Sequence, residues 1–158
     1  MESDPLTSPY LRDSLVESAV GLVLVEAGST RNAMTVSFFS EVAHHPTALW
    51  VAISRLAFTY SLIEETGRFT LAVLNQTQGD IALRCGTISG KNQEKCESLD
   101  IYKSPRDFLF LRGALASTGC SVRQRVDLGD HTLFIADILE SHLDSRKAHL
   151  RQLLLSDL

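Results

Sequence analysis

Long apolar runs are missing from this chain. Runs such as Val20 to Val25 fall far short of the roughly 20 residues that cross a bilayer, so no membrane association is expected. Cysteine is scarce: Cys85, Cys96 and Cys120 are an odd count of three with no C-x-x-C pair. That argues against a disulfide framework or a cysteine-rich zinc site, and for a reducing cytoplasm. Cations are not in excess either. Fifteen Lys plus Arg stand against 19 Asp plus Glu, a net charge of −4, whereas general nucleic-acid binding needs clustered cations to release counterions. The stretch from Met1 to Ser14 carries Glu2, Asp4 and Asp13 without an apolar run, so it does not read as a signal peptide. No internal repeat or low-complexity tract is present.

Familiar catalytic signatures are missing too. Gly86-Thr87-Ile88-Ser89-Gly90-Lys91 has three residues between its glycines and Asn92 after the lysine, and so fails the P-loop pattern. No G-x-G-x-x-G follows a strand, and neither H-E-x-x-H nor G-x-S-x-G occurs. His44 and His45 are adjacent with no third ligand nearby in sequence, so they read as a polar loop before they read as a metal site. The cysteines read as small buried hydrophobes; a reactive role would need a lowered pKa, for which only Lys91 and Lys95 lie near.

What is present is one domain's worth of chain: 158 residues, 44% apolar and 22% charged. Residues 1–14 mix Pro, Ser, Thr and Asp and read as an N-terminal arm, with a single domain over 15–158. Val20 to Ala27 is rich in β-branched residues and reads as a buried strand. Residues 28–32 are turn chemistry. Ala33 to Phe39 alternates, with Met34, Val36 and Phe38 on one face and Thr35 and Ser37 on the other, so it reads as a strand whose polar face meets solvent or a ligand. Residues 40–46 read as a loop, 48–54 as a strand, and 58–66 as a helix stopped by Gly67. A strand over 69–74, a short helix over 76–85 and a Gly/Ser loop over 86–92 follow. Residues 96–110 read as irregular. Ala114 to Val126 and His131 to Glu140 read as strands joined by a tight turn. Leu150, Leu153 and Leu154 have helical spacing, which predicts a C-terminal helix over 145–155. Strands that succeed one another by short links predict a mainly β fold with a few helices, an antiparallel barrel or sandwich.

Several blocks, in order, resemble the flavin reductase-like family, the FMN-binding split barrel of antiparallel Greek-key type. Asn32-Ala33-Met34-Thr35-Val36-Ser37 is similar to its N-x-M-T-x-S segment. His44-His45-Pro46 leads to a Trp50-Val51-Ala52-Ile53 strand, and Thr66-Gly67-Arg68-Phe69 to Leu71–Asn75. Cys85-Gly86-Thr87-Ile88-Ser89-Gly90, with Lys95, resembles C-G-x-x-S-G…D-K. Gly129-Asp130-His131-Thr132-Leu133-Phe134-Ile135 resembles G-D-H-x-l-f-i. These blocks span about Val20 to Glu140. Departures are visible. The link Arg55-Leu56-Ala57-Phe58 replaces a Ser/Asn-rich one, Glu94 stands for the Asp of the D-K pair, Pro46 is single, and the C-terminal tail differs.

The resemblance implies an FMN-binding oxidoreductase, with FAD as the alternative flavin and NAD(P)H as electron donor. It further implies a homodimer and a redox partner or other electron acceptor. A flavin needs an apolar wall, hydrogen-bond donors and a phosphate cradle. The candidates for binding it are Met34, Thr35, Val36, Ser37, Ser54, Arg55, Thr59, Gly90, Lys91 and Lys95, with Arg55 suited to bidentate phosphate contact. His131 is the candidate catalytic residue, set by the family pattern near the flavin and the nicotinamide. Plainer readings stand beside these: Thr35 and Ser37 facing water, Arg55, Lys91 and Lys95 as solvated charges, and His131 as a turn histidine. The alternative functions are a non-enzymatic FMN electron carrier like flavoredoxin, or a split-barrel module that binds another ligand.

Overall fold

The computed structural model describes residues 17–146 and 150–158; the N-terminal arm read over 1–14 lies outside them. A seven-stranded antiparallel sheet organises the chain. Its strands are β1 (Gly21–Ala27), β2 (Thr30–Val36), β3 (Phe39–His44), β4 (Thr47–Ser54), β5 (Arg68–Val73), and two long ones described below. Between β4 and β5 runs helix α1 (Phe58–Thr66), and after β5 comes α2 (Gly79–Thr87). A small hairpin, β6 (Ile101–Lys103) with β7 (Leu109–Leu111), precedes β8 (Ala116–Asp127) and β9 (His131–Leu143). The sheet order is β2-β1-β5-β8-β9-β4-β3, so the passage through α1 carries the chain from β4, beside the edge strand β3, across β9 and β8 to β5.

The run Val20 to Val25 is apolar on both faces because β1 is buried on both faces. Leu22 and Leu24 enter a core shared with α2, β7 and Leu153. Val23 and Val25 enter a second core with Val51, Ile53, Ile63, Phe69, Phe134 and Cys120. Period-two alternation thus feeds two layers from one strand. Helix α1 closes the second core with Leu62 and Ile63, and it ends at Gly67, whose φ of 65° is the left-handed conformation that only glycine adopts cheaply. Among the described residues no helix is long and apolar enough to cross a membrane.

Several local expectations are corrected. Residues 40–46 are not a loop: Phe39 to His44 pairs with β4, with a register shift between Glu41 and Ala43. The strand is an exposed edge, so its sequence lacks the apolar alternation that marks a strand with a buried face. The strand read over 33–39 ends at Val36, which is buried, and Phe38 lies beyond its end, 40% exposed. Residues 96–110 contain a 3-10 turn at Cys96–Ser98 and the β6–β7 hairpin. The helix read over 145–155 is not formed by its described residues. Residues 150–154 run extended, and Leu153 takes backbone hydrogen bonds on both sides, its N–H to Leu74 and its carbonyl from Val20. Leu153 is 1% exposed. Tertiary pairing overrides a helical spacing that three leucines alone suggest. A 3-10 turn at Leu155–Asp157 follows.

Candidate functional site

A cleft of about 380 Å³ opens where three elements meet: β2, the β4–α1 link, and the end of α2 with the segment after it. The meeting is fixed by polar contacts. The Thr35 hydroxyl donates to the Ala82 carbonyl at 2.5 Å, which docks α2 on β2. Asn32 Nδ2 donates to Thr59 Oγ1 at 2.8 Å, which ties β2 to the first turn of α1. Lys95 reaches back beneath the cleft, its ammonium donating to the carbonyls of Cys85 (3.1 Å) and Ile88 (2.7 Å) at the end of α2.

The α1 end of the cleft suits an anion. Its N-cap is Ala57, which offers no side-chain acceptor, and no acidic residue sits in the first turn. The Phe58 and Thr59 N–H groups have no partner among the described residues. Free N–H groups and the helix dipole make such an end attractive to phosphate. Ser54 turns the chain here, its Oγ accepting from Leu56 N–H at 3.3 Å and its carbonyl from Ala57 N–H at 3.0 Å.

The other end of the cleft is closed by Ser89 and Gly90. A Cβ at Gly90 would overlap the Asn32 amide and the Phe58 ring, so only glycine fits. Asn32 is 2% exposed, and its Oδ1 is a buried acceptor with no partner among the described residues. An orphaned acceptor and a Cβ-free cradle on one cleft are features a flavin-sized ligand with hydrogen-bond donors would use.

Of the residues singled out in the sequence, Met34, Thr35, Ser54, Thr59, Gly90 and Lys95 line this cleft. The others do not. Val36 belongs to the buried core, and Ser37 follows the end of β2. The Arg55 guanidinium turns to the β8–β9 hairpin, 3.5 Å from both Asp127 Oδ2 and the Gly129 carbonyl, while its own N–H donates to Asp130. Lys91 is on the exposed side of its turn. His131 pairs in register with Ser54, so its strand borders the cleft; its ring meets Asp130 Oδ1 at 3.0 Å and the edge of Phe38. The polar face of β2 is only partly open to solvent, because the Thr35 hydroxyl docks α2 and leaves Thr35 half-buried at the cleft. Lys95 is 4% exposed and acts as a cap on α2 rather than as a solvated charge.

Asn32 is the cleft residue that reasoning from sequence passed over. It was placed in turn chemistry with Arg31, yet β2 already begins at Thr30. Its position two residues before Met34, on the same face of the strand, is the signal that could have found it.

The thiols near the site are quiet. Burial pushes the Cys85 thiol up, with the Lys95 charge opposing, and burial likewise pushes the Lys95 ammonium down. Burial, aided by Glu94, pushes Cys96 up to about 12. None is a thiolate at neutral pH, so nucleophilic cysteine chemistry has no support here. No cluster of three or more metal-ligating side chains occurs among the described residues.

A larger open groove, about 730 Å³, lies on another face, between the β3–β4 hairpin and β5, β8 and β9. Leu49, Leu71, Ile138 and Leu143 line it.

Comparison with known proteins agrees with the geometry. Residues 13–156 match the flavin reductase like domain. The chain is 27% identical over 139 residues to the actinorhodin polyketide dimerase of Streptomyces coelicolor, covering 86% of this chain and 77% of that protein. It is 29% identical over 143 residues to an NADH-dependent flavin reductase of a Rhodococcus species, covering 87% and 78%. Among solved structures, the FMN-binding protein of Thermus thermophilus with bound p-hydroxybenzaldehyde superposes with a TM-score of 0.81 at 21% identity, over 91% of this chain and 80% of that one. The mainly β architecture is that of the split barrel, and the chain belongs to the flavin reductase-like family.

Proposed function

We propose that the protein is an NAD(P)H-dependent flavin reductase that takes FMN in the cleft between β2, the β4–α1 link and α2. The observation that carries this reading is the cleft itself, which joins an uncapped helix N-terminus to a cradle only glycine fits. The first-turn N–H groups of Phe58 and Thr59 hold the phosphate. Met34, Thr35 and the backbone of β2 form a wall for the ring, and the 86–90 segment forms the facing wall. Bound flavin supplies the hydride-accepting chemistry; the protein orients it and keeps water from its face. No general base is required for hydride transfer, which fits a site without a catalytic constellation.

Family membership supports the activity, and a relative named as an NADH-dependent flavin reductase supports the donor. His131, which borders Ser54 across the β4–β9 pairing, orders the nicotinamide at the lip. The Arg55 side chain is half-exposed and held only by long contacts to Asp127 and the Gly129 carbonyl, so it can turn to a phosphate. We further infer one domain over 15–158, a cytoplasmic site of action and a homodimer. The apolar groove beside the β3–β4 hairpin, with Val42 and Leu143 more than half exposed nearby, is the face a second copy covers.

The test is an absorbance spectrum before and after mixing with FMN and desalting, then turnover with NADH or NADPH. Flavin reduction in proportion to protein supports the reading. Retained flavin without reduction by either nicotinamide makes the protein a flavoredoxin-like carrier. Neither binding nor reduction means the barrel takes another ligand.

A further inference from the structure

Asn32 makes one hydrogen bond and leaves another unmade. Its Nδ2 donates to Thr59, while its Oδ1 is buried without a partner. A buried acceptor left unpaired in a native fold calls for an account. The atom faces Gly90, which comes so close that a methyl group there would overlap it.

Gly90 covers it, and the hydrogen bonds of residues 89–93 run only among themselves. Lys91 N–H donates to Ser89 Oγ, and the Asn92 and Gln93 N–H groups to the Ser89 carbonyl. Among the described residues no hydrogen bond ties 89–93 to another element. Both flanks, by contrast, are anchored. Ile88 and Lys95 are joined by the Lys95 ammonium, and Glu94 accepts from the Cys96 and Glu97 N–H groups. A short segment with firm ends and only local bonds is the part of a fold that opens at least cost.

We propose that residues 89–93 are a flap over the flavin cleft, and that Asn32 Oδ1 is a ligand-binding acceptor that takes a hydrogen bond from a donor of the flavin once the flap lifts. This rests on the cleft being the flavin site. Phosphate carries no donor at neutral pH, so the partner is a ribityl hydroxyl or the ring N–H, and Asn32 reads the part of the ligand that FMN and riboflavin share. The hydrogen bond to Thr59 holds the amide so that Oδ1 stays aimed at Gly90.

Titrations of FMN, riboflavin and lumiflavin by quenching of their fluorescence test this with the full chain. The double variant Asn32→Leu/Thr59→Val replaces both partners of the buried pair by apolar groups of similar size, so its thermal midpoint stays at or above the wild-type value. Its affinity for riboflavin falls about tenfold or more. A fall that extends to lumiflavin, which has no ribityl chain, assigns the donor to the ring, and one confined to riboflavin and FMN assigns it to the chain. Asn32→Asp keeps an acceptor of the same size and binds riboflavin more tightly than the double variant. Backbone amides of residues 89–93 exchange hydrogen faster than those of the anchored flanks 85–88 and 94–97 in the wild-type protein. Unchanged riboflavin affinity in the double variant, equal weakness in Asn32→Asp, or exchange in 89–93 as slow as in the flanks overturns the proposal while the flavin site stands. A wild-type protein that binds none of the three flavins overturns the site and the proposal together.

Discussion

Lys95 shows how one residue can carry a charge into a ligand site and still belong to the scaffold. Its ammonium is shared between the Cys85 and Ile88 carbonyls at the end of α2, where a cation also meets the negative end of the helix dipole. Replacing it by methionine leaves those carbonyls unpaired, and a loss of about 1–3 kcal/mol of stability is expected by urea unfolding. The preference for FMN over riboflavin should be unchanged in Lys95→Met; a lost preference would return Lys95 to the phosphate. Cys120 makes a second residue-scale prediction. Burial raises its pKa to about 12, so the folded protein keeps this proton longer than the unfolded chain does. The resulting stabilisation is fully present below the unfolded thiol value of about 8.5 and is lost as pH rises toward the folded one. Urea midpoints should fall across that alkaline window, and fall less steeply in Cys120→Ala. Parallel slopes for the two proteins would contradict it.

At the scale of elements, what could be read from sequence depended on how locally each element is determined. Helix α1 matches its expected bounds because its apolar spacing and Gly67 stop are both written in nine residues. β1 matches because a strand buried on both faces is a continuous apolar run. β3 escaped because an exposed edge strand has no apolar face to reveal it, and its pairing is set by β4. The C-terminal segment escaped for the opposite reason. Its leucines do pack, but Leu153 enters the core from an extended chain bonded to Val20 and Leu74. That segment is therefore structural, and Leu153→Ala should cost about 2–5 kcal/mol by thermal or urea unfolding. A cost below about 1 kcal/mol would mean the pairing is marginal. The site followed the same rule. Met34, Thr35, Ser54, Thr59 and Gly90 were legible because they lie in blocks with recognisable order. The direction of the Arg55 side chain and the capping role of Lys95 were not, since each depends on a residue distant in sequence or on the path of a turn.

On the scale of the whole molecule, two cores share one sheet, and the cleft proposed to take flavin sits where β2, α1 and α2 meet at its edge. Hydrogen bonds tie β2 to α1 and to α2 at the cleft, so its geometry is tied to global stability, with the proposed 89–93 flap as the exception. The large groove shares no lining residue with the cleft. Sedimentation velocity should find a dimer, and Leu139→Arg with Leu143→Arg should yield a folded monomer; a wild-type monomer at micromolar concentration would contradict the assembly. The central claim is that this protein reduces flavin with a nicotinamide donor. The most direct measurement is anaerobic mixing of protein, excess free FMN and NADH or NADPH while the visible absorbance of the flavin is followed. The account predicts bleaching through many turnovers at a rate proportional to protein concentration. Bleaching no faster than in the protein-free mixture, with both nicotinamides, would contradict it.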